Sequence, residues 1–332
     1  MPREGEIMSN PMLSIAIQAV KEASMLCSGV QASIPAAISK SDKSPVTVAD
    51  FGAQAVVGHL LETAFPDIPL VGEEDADALR ENPDLLEKTL CAVRSRLPDM
   101  TADELLAAID RGSHPGGGEG RHWTLDPIDG TKGFLRGDQY AVALALIENG
   151  QVILGVLGCP NLPLNLMEPV GERGSIFAAA IGDGAVEMPL TGGEARSVNV
   201  DRLRELPRRR LCESVEKAHT SQSDSARVAE LLGLTAPPTR IDSQCKYAAV
   251  ARGDAEIYLR LPTRPGYVEK IWDHAAGYRV ILEAGGRVSD VNGKPLDFSR
   301  GRGLSGNLGV VVTNGLDHER IISAVQSVLG LS

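Results

Sequence analysis

Trp123-Thr124-Leu125-Asp126-Pro127-Ile128-Asp129-Gly130-Thr131-Lys132-Gly133 is the stretch from which the rest of the chain is best read. Two carboxylates stand three residues apart around a proline, and Gly-Thr follows at once. The spacing sets two hard oxygen ligands on one tight turn. Pro127 limits the backbone, and Gly130 permits a conformation that a β-carbon would hinder. Such a turn can open a helix whose free N–H groups face an anion. A carboxylate pair beside a phosphate-binding helix end suits metal-assisted phosphoryl chemistry. Alone, Asp-x-x-Asp-Gly also fits an ordinary turn, because Asp and Gly are common turn residues.

Two other segments carry acids in comparable settings. Leu70-Val71-Gly72-Glu73-Glu74 is an apolar strand end running into paired carboxylates, or a solvated strand end. Lys270-Ile271-Trp272-Asp273-His274-Ala275-Ala276-Gly277 places an acid at a helix start, where Asp also serves as a plain N-cap.

The three segments, in this order, resemble the lithium-sensitive, magnesium-dependent phosphatase superfamily that includes inositol monophosphatase. Four further stretches resemble its 3′(2′),5′-bisphosphate nucleotidase branch: Asp42 to Asp50, Gly130 to Arg136, Asp242-Ser243-Gln244-Cys245-Lys246-Tyr247, and Tyr258-Leu259-Arg260-Leu261-Pro262. The resemblance runs from about residue 12 to about residue 315.

Composition is compatible with this. With 332 residues and 43% hydrophobic content, the chain is long enough to bury a large core. Aromatics make up only 4%, so the core must rest on Leu, Val, Ile and Ala. A net charge of −11 argues against a basic nucleic-acid footprint. It also poses a problem of sign for an enzyme acting on an anion, which bound divalent cations would solve. The cysteines at 27, 91, 159, 212 and 245 are scattered, odd in number and without a C-x-x-C pair. They read as reduced thiols of a cytoplasmic protein, and no zinc site is expected. No apolar run reaches membrane-spanning length, and the acidic N-terminus has no signal-peptide core.

Pattern predicts helices over 11–30, from near Asp50 to Phe65, and over 222–233, 246–252, 274–284 and 316–329. Strands are expected at 210–214, 255–259 and 308–313, with hairpins turning at Asn149-Gly150 and Gly182-Asp183-Gly184. Thr101 and Glu104 have capping-box spacing. The stretch His114-Pro115-Gly116-Gly117-Gly118 is expected to be either a lid over substrate or a surface elaboration. It lacks the Gly-Lys-Ser/Thr of a P-loop. The alternation implies an α+β domain over 1–160 and an α/β domain over 161–332. The resemblance implies a layered αβαβα sandwich of the lithium-sensitive sugar-phosphatase type.

The resemblance also implies roles. Glu73, Asp126, Asp129 and Asp273, with the backbone carbonyl of Ile128, would hold two or three Mg²⁺ ions. Asp50 and Thr131 would orient and deprotonate the attacking water, although Asp50 by itself also fits an N-cap. Thr131, His219, Ser243, Lys246, Arg260 and Asp273 would approach the nucleotide. Taken alone, Lys246 and Arg260 also fit solvated charges, and His219 a structural histidine. Glu269 would pair with a nearby cation. The implied reaction is removal of the 3′-phosphate of adenosine 3′,5′-bisphosphate to give AMP, by direct attack of metal-activated water. The 2′-isomer and 3′-phosphoadenosine 5′-phosphosulfate would also be accepted, as part of sulfur assimilation and salt tolerance. Inhibition by Li⁺ and Na⁺ is implied too. The expected protein is a monomer with small-molecule partners, and with neither nucleic acid nor membrane as partner.

Two departures stand out. The branch often carries Ala-His-Ser-Ser-His where this chain has Ala218-His219-Thr220-Ser221-Gln222, and Glu119 stands in the glycine loop where relatives often have a basic residue. The rival activities are an inositol (poly)phosphate 1-phosphatase and a nucleotide-binding sensor with a silent site.

Overall fold

The computed structural model describes residues 10–34, 44–166, 170–215, 221–264 and 266–331. It begins with two long helices, α1 (Pro11–Ala32) and α2 (Ser44–Ala64). Asn10 starts α1, its Oδ1 accepting the N–H groups of Met12 and Leu13 at 3.0 and 3.3 Å. Three helices follow the short strand β1 (Leu70–Gly72): α3 (Asp77–Glu81), α4 (Pro83–Arg94) and α5 (Ala102–Asp110). The expected capping box of Thr101 and Glu104 opens α5.

Strand β2 (Arg121–Asp129) and the short helix α6 (Thr131–Arg136) come next, then β3 (Ala141–Glu148), β4 (Gln151–Pro163), β5 (Arg173–Ala180), β6 (Gly184–Pro189) and β7 (Arg196–Val198). These seven strands form one sheet in chain order, with β1 parallel to β2 and every other pair antiparallel. Both predicted hairpins are present. Asn149 (φ +50°) and Gly150 (φ +77°) both take the left-handed conformation that a two-residue turn demands. The boundary expected at residues 160/161 falls inside β4, and the first sheet ends only at Val198.

The second sheet runs in the order β11 (Arg287–Ser289), β12 (Val310–Thr313), β10 (Ile257–Arg260), β8 (Leu211–Glu213) and β9 (Thr239–Arg240). Helices α7 (Gln222–Leu232), α8 (Cys245–Arg252), α9 (Ala275–Glu283) and α10 (His318–Leu329) complete the chain. The predicted elements in this half are all found, with ends displaced by at most two residues, the ordinary uncertainty of helix and strand ends.

Three buried clusters explain the layering. The first joins α1 and α2 to one face of the seven-stranded sheet, through Leu13, Val20, Val56, Trp123, Val142 and Leu144. The second fills the space between the sheets with α8 and α9, through Ala143, Ala145, Ala248, Ala276, Tyr258 and Val312. The third packs α7 and α10 on the outer face of the smaller sheet, through Val228, Leu259, Val311 and Ile321. The order is therefore α, β, α, β, α. Alternate β3 residues serve different clusters because strand side chains alternate faces, and both faces of this sheet are covered. Alanines on the inner face let α9 come close. A β-carbon on Gly155 would lie 2.5 Å from the carbonyl of Ala276.

Two helix expectations change. Helix α2 begins six residues before Asp50, so Asp50 lies inside the helix and caps nothing. The N-cap position of α9 is His274, with no side-chain cap, so Asp273 is not a plain N-cap either. The glycine loop after His114 packs on the turn at Ser299 and Gly301, and Gly120 donates to Asn149 Oδ1 at 3.0 Å. It therefore leads toward the β3–β4 hairpin, and none of its residues lines the cavity beside Asp129.

Gly277 sits where α9 crosses Tyr247, and an added β-carbon would fall 2.3 Å from Tyr247 Cγ. Gly277→Ala should therefore cost about 1–3 kcal/mol through overpacking. Urea unfolding checks this, and an unchanged midpoint would show that the helix can shift freely.

Candidate active site

Parallel pairing of β1 with β2 sets Gly72 beside Leu125, so Glu73 leaves β1 next to Asp126. The β2–β3 register then shifts between Asp126 and Asp129, and Pro127 and Ile128 have no register partner. Pro127 could not donate to the ladder in any case. The irregular stretch turns Asp126 and Asp129 into one region and leaves the Ile128 carbonyl outside the regular pairing. Gly130 closes the turn at φ +91°, a region costly for other residues.

Four acids gather there, and a fifth joins them. Asp126 is 3% exposed, and its Oδ1 has no partner. Burial, then the charges of Glu73, Asp129, Asp273 and Asp50, push its carboxyl well above the usual range. Glu73 keeps a solvent-accessible side, yet enclosure by the surrounding walls, together with Asp273, Glu74 and Asp129, raises it to about 8. Asp129 rises to about 6 through burial and Asp273, despite the opposing pull of Lys246, Arg260 and the Gln244 N–H. Asp50 projects from α2, 6% exposed, and its Oδ1 also lacks a partner. Burial and the charges of Glu74 and Glu73 raise it well above normal. Like charges at this density need protons or cations. Unpartnered, buried oxygens in an all-oxygen donor set fit hard divalent cations such as Mg²⁺.

Three residues without a predicted role hold this cluster. Gln54 donates from Nε2 to the carbonyls of Glu74 (2.6 Å) and Ile109 (2.9 Å), and its Oε1 accepts the Glu74 N–H at 3.1 Å. Arg302 donates to the Gly72 carbonyl at 2.5 Å and stacks 4.8 Å from the Trp272 ring, beside Asp273. Gln244 gives its backbone N–H to Asp129 Oδ2 at 2.5 Å, while its side chain donates to the Trp272 carbonyl (2.8 Å) and accepts from Gly277 N–H (3.0 Å). Gln244 lies within the Asp242–Tyr247 stretch that carries the resemblance. Arg302 had no local signal, because its partners lie some 190 to 230 residues away.

A cavity of about 420 Å³ opens beside Asp129. Thr131, Ser243, Lys246 and Arg260 line it, with Lys132, Arg264, Tyr267 and Glu269. Ser243 takes φ +64°, strained for a residue with a side chain, and its Oγ accepts the Cys245 N–H at 3.2 Å. The Ser243 turn meets the Gly130 turn so closely that a β-carbon on Gly130 would lie 2.9 Å from Ser243 Cβ. Arg136 pairs with Asp242 and anchors that turn.

Lys246 is 2% exposed, donates to the Ile241 carbonyl at 3.3 Å and stands 5.3 Å from the Tyr258 ring centre. Burial lowers its pKa, while Asp129 opposes the change. Arg260 pairs with Glu269 at 2.7 Å and Asp273 at 3.3 Å. Neither cation is freely solvated. The cation expected beside Glu269 is thus Arg260. Glu73, Asp126, Asp50 and Asp273 are not among the cavity-lining residues, so Asp129 is the acid shared by cluster and cavity. His219 lies outside the described residues.

The inositol monophosphatase family model matches residues 8–329. Among curated proteins, the chain is 45% identical to the 3′(2′),5′-bisphosphate nucleotidase of Schizosaccharomyces pombe, with 95% of this chain and 94% of that protein covered. It is 45% identical to the protein of the same name from Emericella nidulans (89% and 91% covered) and 44% identical to that from Oryza sativa (96% and 94%). Among solved structures, Mycobacterium tuberculosis SuhB superposes with a TM-score of 0.63 at 22% identity, covering 97% of this chain and 98% of that one. An inositol monophosphatase from Thermotoga maritima gives 0.61 at 20%, covering 97% and 99%. These two likenesses are to the fold. No described helix is long and apolar enough to cross a membrane. The chain belongs to the inositol monophosphatase family and groups within it with the 3′(2′),5′-bisphosphate nucleotidases.

Proposed function

We propose that this protein is a Mg²⁺-dependent phosphomonoesterase that removes the 3′-phosphate of adenosine 3′,5′-bisphosphate to give AMP. The observation that carries this is the sharing of Asp129 between a carboxylate cluster and a cavity lined by Lys246, Arg260, Lys132 and Arg264. One side suits cations, and the other suits an anion with more than one phosphate. The names of the curated relatives point to the same substrate.

In this proposal Glu73, Asp126, the Ile128 carbonyl, Asp129 and Asp273 hold two or three Mg²⁺ ions. When bound, divalent cations compensate the cluster so that its acids ionise, draw charge from the phosphoryl group and lower the pKa of water. Thr131 takes a proton from the attacking water and passes its hydroxyl proton to Asp50, whose orphan Oδ1 is free to accept it. Lys246 supplies a point charge and Arg260 a planar fork to the substrate phosphates. Ser243 and His219 donate to the nucleotide. The 2′-isomer and the 5′-phosphosulfate fit the same arrangement. The protein acts as a monomer, and its five free cysteines are in keeping with a cytoplasmic setting.

The deciding assay is phosphate release in Mg²⁺ from adenosine 3′,5′-bisphosphate, inositol 1-phosphate and inositol 1,4-bisphosphate, with and without Li⁺. Lithium-sensitive release from the nucleotide is expected. Release from the inositol phosphates alone would overturn the roles of Ser243, Lys246 and Arg260. Asp129→Asn should fold but lose at least about a hundredfold in turnover; a folded variant with near-normal activity would remove Asp129 from the ligand set.

A pH dependence follows as well. Folded carboxyls raised above their unfolded values bind more protons than the unfolded chain, so stability falls as pH rises toward the folded pKa. In chelator, the melting temperature should drop between pH about 5 and about 8, spanning the raised values of Asp129 and Glu73, and Mg²⁺ should flatten the profile. Equal slopes with and without Mg²⁺ would contradict cation compensation.

A further inference from the structure

Arg260 faces two carboxylates with one nitrogen. Its Nη2 lies 2.7 Å from Glu269 Oε2 and 3.3 Å from Asp273 Oδ2, while its Nε is buried without a partner. Glu269 is braced from behind. His274 Nε2 stands 3.4 Å from the same Oε2, and its Nδ1 is 2.8 Å from the Tyr247 hydroxyl. His274 and Tyr247 are both fully buried. A neutral imidazole satisfies both contacts, with Nε2–H donating to Glu269 and Nδ1 accepting from Tyr247. Tyr247 is in turn held edge-on to Tyr258, with ring centres 5.2 Å apart. Burial alone would raise the Glu269 carboxyl, yet His274 and Arg260 hold it down to about 2.

We infer that Glu269, braced by His274 and Tyr247, is a positioning residue that holds Arg260 on the cavity wall and limits its contact with Asp273 to the longer, 3.3 Å pairing. A partly buried guanidinium seeks the strongest carboxylate within reach. Without Glu269, the next one is Asp273. A guanidinium closed on Asp273 would compete with a cation for its oxygens and would also leave the cavity. Glu269 thus separates the cation side of the site from the anion side. The inference rests on Asp273 as a cation ligand, the role given to it under the proposed function.

The test uses Mg²⁺ binding by calorimetry and the Mg²⁺-induced rise in melting temperature, together with AMP binding at saturating Mg²⁺. Glu269→Gln keeps the side-chain shape and removes the charge. It should weaken Mg²⁺ binding about tenfold and AMP binding by a similar factor. Adding Arg260→Met to Glu269→Gln should return Mg²⁺ affinity to within about twofold of Arg260→Met alone, with AMP binding still weak. Glu269→Asp, which retracts the charge by one methylene, should give a smaller loss and the same rescue, and it serves if Glu269→Gln fails to fold. Glu269, Asp273 and His274 each place a ligand atom within 4.8 Å of the others, so direct ligation by Glu269 is the competing outcome. A double variant as weak for Mg²⁺ as Glu269→Gln would establish that and overturn the inference. Unaltered Mg²⁺ binding by Glu269→Gln would also overturn it. Asp273→Asn reports separately: wild-type Mg²⁺ affinity there would remove the role of Asp273 itself.

Discussion

Like charges packed close together govern this molecule. Asp50, Glu73, Asp129 and Asp273 each raise the cost of ionising Asp126, and burial raises that cost further. A fold would not keep such a group for stability. It persists because rigid elements leave it no room to disperse. Two parallel strands fix Glu73 beside Asp126, a register shift around Pro127 brings Asp129 round, and α2 carries Asp50 in from the opposite side. Gln54, Gln244 and Arg302 then pin the backbone at three places. All three make bonds to main-chain carbonyls, so they orient the acids without cancelling them all.

Among the described residues, the protein compensates that charge on one side only. Lys246 and Arg260 lie near Asp129 and lower its burden, but they face the cavity. On the Glu73 side, Arg302 is the nearby cation, and it is spent on the Gly72, Gly112 and His114 carbonyls and on Trp272. The asymmetry divides the site into a region short of positive charge and a region that has it. A protein with a net charge of −11 can receive a polyanion only through such a local inversion. Glu269 is the apparent exception, an acid on the anion side, and its pairing with Arg260 and His274 makes it part of the support for a cation.

Family membership and layering agree because the same packing solution serves both. Helices α8 and α9 lie between two sheets, and the segments leading into them, Asp242 to Gln244 and Lys270 to Asp273, reach the site from the second sheet. Close approach is obtained with small residues, at Gly155 against Ala276 and at Gly277 against Tyr247. The clustered acids and the cavity residues thus come from both halves of the chain, and Gln244 bonds to each. The glycine-rich insertion before β2, by contrast, is tied to the hairpin at Asn149.

Local chemistry is what the sequence alone determined. Asp126, Pro127, Asp129 and Gly130 sit within one turn, so their covalent spacing dictates how they can be used. The hairpin at Asn149-Gly150, the capping box at Thr101 and the alternation along β3 are equally local. Asp50 shows where that legibility stops. Its neighbours fit an N-cap as well as a catalytic acid, and only the earlier start of α2 removed the first option. Asp273 was ambiguous in the same way until the helix start fell on His274. Gln54, Arg302 and the Glu269–His274–Tyr247 brace could not be read at all, because a hydrogen bond across tens or hundreds of residues leaves no mark in spacing. Tertiary structure decided which acids share a charge field, which cations face the cavity and which carboxylate holds Arg260, since each depends on distances set by the packing of layers and not by order along the chain.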